Sequence, residues 1–458
     1  MLCHAHKYMS HQGYMKIFRF PLLVGLCLSL LLLVTPLQAQ QKQYTLVAND
    51  IVNNSNQIAP GAGNNDAIKI AQKSPLVQSA KNFLVKQTEQ IQDINLRTAT
   101  KDAIDNPKTC ITHRANLTDS QKRGILQQLL NAGLINTADD STFPGGLIAG
   151  VFPPVLNDGS SCPQLPQPFF SAPGSGNNSH HSYPGGLPVH EAFNTLSSLS
   201  FGNNYRLIYG QTSARGLPVI NPYSKLKSDI FISDDLLLAA PIWHDWAKPI
   251  VFQWDASGNE FKELNFGGNG TTDNYGASGD SRTGGHHIIG LAESMKRRLS
   301  PEFVITQASA HSAPTLGNEY KVVNWLRTAA ILAQIDPVAQ GYLSIDNQNR
   351  LRLPPVRQLK SFDITKTQTN LLAEYALHNL SDADFVLSIP AITIDQELLQ
   401  QVAPVFGYNP TNTTTYIKQF RNPVLSYLSA ERLFIIYGNE GINGVINEVS
   451  KLKRQKII

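Results

Sequence analysis

The chain has 458 residues, 42% of them hydrophobic, with 38 Lys and Arg against 34 Asp and Glu. That length can bury a large core and predicts two to three domains. A net charge of +4 gives no broad basic footprint for nucleic acid, although it leaves room for a local patch.

Lys16 and Arg19 precede the apolar run PLLVGLCLSLLLLV at 21–34, and Ala39 is a small residue suited to a cleavage site. This order predicts a secretory signal over 1–39, with Met15 as an alternative start. The mature chain is then a bacterial periplasmic or secreted protein without a transmembrane span; an uncleaved membrane anchor is the alternative. Cys3 and Cys27 fall in the segment to be removed, and Cys110 and Cys162 remain. Export takes these two out of the reducing cytosol, so they are expected to form one disulfide.

Residues 40–66, rich in Gln, Asn and Gly, read as a mobile lead-in, and 67–105 as helix, making one region of 40–105. A clearer helix is predicted over 118–135, capped by Thr118 or Asp119 and ending near Gly133. Pro, Gly, Ser and Asn then dominate 141–186, so 106–179 is a helix followed by loop. Apolar spacing from 187 to 338 is mostly helical. The polar run FGGNGTTDNYGASGDSRTGG at 266–285 interrupts it, as a lid or as a solvated insertion. Helices at 367–378, 395–405 and 414–429 fill a C-terminal region, 346–458. Strand patterning is sparse, so the fold class is mainly α, with a central domain at 180–345.

Within that central domain, helical segments in order carry a polar residue near an apolar stripe. A helix starting near Leu187 places His190 in its first turn, beside Val189, Phe193 and Leu196. Ser233 caps a second helix, apolar nearly all round from Leu236 to Trp243, with a kink expected at Pro241. His244 and Asp245 lie near its end, with Lys248 one turn after His244. A third segment, 284–299, presents His286, with His287 facing elsewhere, and a fourth, 302–314, ends near His311. Asp336 sits on the stripe of a fifth, 321–338, just before Pro337 stops the helix. Each residue alone has an ordinary explanation in a core or a turn. Together, that many buried polar groups would be costly unless something satisfies them.

A metal centre would do so. Imidazole and carboxylate without thiolates suit Mn, Fe, Ni or Zn. In this reading His190, His244 and Asp336 bind one divalent transition ion, His286 and His311 a second, and Asp245 bridges them. Two such ions can polarise a phosphoryl oxygen and hold a hydroxide, with Lys248 as the cation for phosphate. His181 and Arg282 are candidates on the substrate side, and Glu293 is a further candidate to orient ligands.

The residues HSYPGGLPVH at 181–190, HDWAK at 244–248, GHHIIG at 285–290 and Asp336 resemble the HD-domain superfamily of metal-dependent phosphohydrolases, in its HxYxGGLxxH…HDxxK form. The resemblance covers roughly 180–340. It implies an HD-like helical bundle, mono- or binuclear His/Asp ligation, and hydrolysis of a phosphomonoester or phosphodiester of a small phosphorylated substrate, a nucleotide among them. It also implies His286 rather than His287 as the second ion's ligand. The chain departs from many two-metal members in having Ser312, not a second histidine, after His311. A di-iron oxygenase on the same ligands and a metal-binding protein without turnover are the alternatives.

Overall fold

Side-chain caps from Ser74, Thr118, Ser233, Ser300 and Ser429 start several of the helices. In the computed structural model, residues 61–105, 108–110, 117–155, 160, 162–217, 219–220, 228–268, 280–315, 317–355, 357 and 371–458 are described. The expected signal segment, most of the lead-in, the centre of the 266–285 run and positions 367–370 lie outside them. The stretch read as helix over 67–105 divides into α1 (Asn64–Lys73), α2 (Pro75–Thr88) and α3 (Ile94–Asp105). Pro75 has no N–H to continue α1, and the Ser74 hydroxyl accepts the Val77 N–H at 3.2 Å to begin α2. Asp93 accepts the Asn95 and Leu96 N–H groups at the start of α3. Helix α4 (Asp119–Asn131) opens on a reciprocal Thr118–Gln121 capping box. It closes on Gly133, whose φ of 66° lets the Leu134 N–H reach back to the Leu129 carbonyl.

Residues 180–345 supply α5 (Gly186–Tyr209), α6 (Asp234–His244), α7 (Gly285–Lys296), α8 (Pro301–Ala308) and α9 (Glu319–Ala333). The C-terminal region supplies α10 (Ala373–Ser381), α11 (Phe385–Val402), α12 (Asn422–Leu428) and α13 (Ala430–Arg454). Sequence spacing ended the last helix at 429. The structure adds the 25-residue α13 after Ser429 turns the chain through a positive φ of 58°. Strand is confined, among the described residues, to two short antiparallel pairs: β1 (Asn265–Phe266) with β2 (Thr283–Gly284), and β3 (Ser344–Ile345) with β4 (Leu351–Arg352). The fold is mainly α. No helix among the described residues is long and apolar enough to cross a membrane.

Helix α6 is the hub. Every residue from Leu236 to His244 is buried, and α6 packs on α2, α3, α5, α7, α8 and α10. Burial of each large side chain on it, Leu237 and Trp243 among them, stabilises by roughly 1.5–3 kcal/mol. The HD pair therefore sits at the end of a rigid element rather than on a loop. A second core gathers α11, α12 and α13 around Leu399, Phe420 and Val445, and includes Tyr183 from the loop before α5. The Ser74 hydroxyl joins α2 to α12 by donating to the Ser426 carbonyl at 2.6 Å.

Asp395 lies buried on α11, and neither carboxyl oxygen has a hydrogen-bond partner. Burial, and then the charge of Glu431, push its carboxyl up to about 8. With the folded value raised above the unfolded one, its contribution to stability is present in acid and lost as pH rises through that folded value. From pH 6 to pH 8 the loss is on the order of 2 kcal/mol. Asp395→Asn is expected to abolish it, so that denaturation curves of variant and parent diverge across that interval. Curves that stay parallel would show that Asp395 ionises freely in the folded chain.

Candidate metal centre

The loop before α5 brings two histidines together. Gly185 has a φ of 84°, and a Cβ there would fall 2.3 Å from a Val77 methyl; a Cβ on Gly186 would fall 1.9 Å from the His181 carbonyl oxygen. Only glycine permits so tight a turn. It holds the His181 ring 5.4 Å from that of His190, with His181 itself at a positive φ of 51°. A non-glycine residue in that region costs energy that the surrounding structure must offset.

His190 is fully buried on α5. Its Nε2 lies 3.3 Å from Asp245 Oδ2 and 3.1 Å from Asp382 Oδ1. His244 Nε2 lies 3.4 Å and 3.2 Å from the same two oxygens. An ion with bonds of about 2.0–2.2 Å places neighbouring ligand atoms about 3–3.5 Å apart, the spacing these atoms show. Neither Nε2 makes a hydrogen bond. The other ring nitrogens have partners of their own. His244 Nδ1 lies 2.7 Å from the Pro241 carbonyl, to which it can donate, and His190 Nδ1 lies 3.2 Å from Asp384. Such partners direct the Nε2 lone pairs inward. Helix α6 ends at His244, and Lys248 begins a separate turn.

The other oxygen of Asp245, Oδ1, faces a second group. His286 Nε2 lies 3.0 Å from it, while Glu263 Oε2 accepts the His286 backbone N–H at 2.8 Å and lies 2.7 Å from Nδ1. Ligand atoms of Asp245, His286 and His311 all lie within 4.8 Å of one another. Thr283 Oγ1 lies 2.6 Å from His311 Nδ1. His287 does not face elsewhere: it stacks on His311 at 4.1 Å, buried, with neither ring nitrogen bonded. The Lys248 ammonium donates to Asp245 Oδ2 and to the Gly174 carbonyl, which ties the loop before α5 to the cluster.

Electrostatics follow the geometry. Burial alone would push the His190 and His244 imidazoles down. Asp384 beside His190, Asp245 beside His244, and Asp382 beside both, reverse this and hold each ring well above its ordinary value. Burial would raise Asp245 and Asp382. The histidines, and Lys248 for Asp245, keep both well below the usual carboxylate range. This cluster holds its carboxylates ionised and draws cations to them, and a metal ion competes with protons for the same nitrogens. By contrast, burial pushes Glu191, between these groups, up to about 8, and burial followed by His286 pushes His311 down to about 4.

Not every expected residue is here. Asp336 is corrected by the structure: α9 stops at Ala333, where Gln334 takes a positive φ of 52°, and Asp336 turns outward. Its exposed carboxylate accepts the Val338 and Ala339 N–H groups. Asp382, at the junction of α10 and α11, occupies the place expected for it. Arg282 is exposed and paired with Asp280 at 2.8 Å, outside the cluster. His181 is close by but bonded to Asp384 at 2.9 Å. Glu293 accepts from Thr109 and the Cys110 N–H and pairs with Arg297, a structural network on the far turn of α7. Cys110 and Cys162 are joined in a disulfide.

Asp382, Asp384, Glu191 and Glu263 were missed. Glu191 directly follows a predicted ligand, and the SDAD run at 381–384 places two acids just beyond a predicted helix; those were the available signals. The cluster opens into a cavity of about 230 Å³ whose walls include Ser175, His180, Lys248 and Asn265. A more open cleft of about 570 Å³ beside α3 carries surface charges of both signs and no imidazole, and contributes nothing to the cluster. Comparison of the chain with protein families, characterised proteins and solved structures finds no match.

Proposed function

We propose that the protein is an exported metal-dependent phosphohydrolase of the HD type. The observation that carries the proposal is Asp245. Its Oδ2 meets His190 and His244 beside Asp382, and its Oδ1 meets His286 beside His311, all of them buried or half-buried. One carboxylate facing two sets of ligands is what a pair of adjacent ions requires. The donor set fits the ions: imidazole nitrogens without hydrogen-bond partners, anionic oxygens, and no thiolate. The HDxxK resemblance supports the same reading. Divalent transition ions held by His190, His244, Asp245, Asp382, His286 and His311 would supply Lewis acidity here.

The chain's own groups do the rest. Asp384 and Glu263 orient the His190 and His286 rings. Lys248 presents a buried ammonium on the cavity wall, suited to negative charge growing on a phosphoryl oxygen. Pockets for whole drug-sized ligands run to about 300–1,000 Å³, so the smaller cavity here suits a phosphoryl head group, with the remainder of the substrate outside.

The test is a panel of phosphomonoesters and phosphodiesters assayed with added Mn²⁺ or Fe²⁺. Turnover that is lost with chelator and restored by metal is expected. Bound metal with no hydrolysis across the panel would point to a binding protein, and substrate-dependent oxygen uptake with iron to an oxygenase.

A further inference from the structure

We infer that Asp384, His181 and Glu431 form a positioning chain through which the C-terminal helices set how tightly His190 holds its ion. The inference rests on the metal reading above. Asp384 occupies the N-cap position of α11, where a carboxylate ordinarily accepts N–H groups of the first turn. It makes no such bond. It turns instead to two imidazoles, His190 Nδ1 at 3.2 Å and His181 Nε2 at 2.9 Å. His181 Nδ1 then faces the Tyr183 hydroxyl at 3.2 Å and Glu431 Oε1 at 3.6 Å. Glu431 stands in the first turn of α13 with its side chain 20% exposed. Hydrogen bonds thus run from a proposed ligand through Asp384 to His181, and the buried Glu431 Oε1, which has no hydrogen-bond partner, faces the far nitrogen of that ring across 3.6 Å.

The positive φ of His181 is an independent observation that the series serves the centre. A carboxylate on the outer nitrogen of a ligating imidazole fixes its rotation and makes the inner nitrogen a better donor. Asp384 and Glu431 are therefore positioning residues, acting through His190 without touching substrate.

The experiment compares the full chain with Asp384→Asn and Glu431→Gln. It measures Mn²⁺ affinity by competition with a chelating dye, and the melting temperature of each chelated protein. Asp384→Asn is expected to weaken Mn²⁺ binding about 10–100-fold. Glu431→Gln, remote and partly exposed, is expected to weaken it less, with the chelated melting temperature unmoved. Unchanged Mn²⁺ affinity in both variants, with a lower chelated melting temperature, would reduce the series to a structural pin and overturn the inference. So would a third bound ion lost on His180→Ala, since His181 and Asp384 would then be ligands themselves. A parent chain that takes up no metal removes the centre and this inference together. A parent that binds metal no better than Asp384→Asn removes the inference alone.

Discussion

Asp245→Ala is expected to abolish metal binding in both halves of the centre and to lower phosphate hydrolysis on the order of a thousandfold or more. No other residue of the cluster faces both ligand sets. Its Oδ2 lies 3.3 Å and 3.4 Å from the nitrogens of His190 and His244, and its Oδ1 lies 3.0 Å from His286. The substitution also strips the buried Lys248 ammonium of its carboxylate. An unpaired buried charge costs about 3–5 kcal/mol, so the alanine variant loses stability as well. Asp245→Asn separates the effects: it keeps the shape and a hydrogen-bond acceptor for Lys248 but carries no negative charge for ions. Metal content by elemental analysis and turnover on the phosphate panel should fall together in Asp245→Asn while the chelated fold persists. Full metal occupancy in that variant would show that Asp245 is a partner of Lys248 and not a ligand.

The second large effect distinguishes two aspartates. Asp382→Ala is expected to weaken the ion between His190 and His244 by about 100-fold or more, exceeding the range for outer partners of a ligand. Asp382 Oδ1 lies 3.1 Å and 3.2 Å from their Nε2 atoms. Asp336→Ala is expected to leave metal binding unchanged and to cost about 1 kcal/mol of stability through the two turn N–H groups it caps. Titration of each variant with Mn²⁺ checks both. The reverse outcome, loss in Asp336→Ala alone, would restore the order H…HD…D read from the sequence and remove Asp382 from the centre.

The contrast between these aspartates shows what the sequence made legible. Local rules were sufficient for caps but not for every face: the Thr118 cap, the Ser233 cap and the glycine turn before His190 follow from residues within one helical turn, whereas His287 stacks on His311 instead of facing elsewhere. The buried path of α6 followed from its nearly uniform apolar run. Helix ends were less legible. Asp336 was placed by continuing an apolar period past Ala333, but the left-handed Gln334 ends the helix first. Asp382 was invisible for a different reason. It arrives from the junction of α10 and α11, more than 130 residues after His244, and no period or spacing marks which distant junction folds back onto α5 and α6. Likewise Pro241 drew attention as a kink, whereas the contact it offers the cluster is its carbonyl, which faces His244 Nδ1. The C-terminal helices, expected only as a helical region, supply Asp382 and Asp384 to the cluster.

The most direct measurement is the transition-metal content of the purified chain after exposure to Mn²⁺, Fe²⁺, Ni²⁺ or Zn²⁺ and removal of the excess, with Asp245→Asn treated in parallel. The expected result is at least one tightly held ion per parent chain, approaching two at saturation, and none in the variant. A parent chain that holds no ion under any of these conditions, or a variant that holds as much as the parent, would contradict the metal centre.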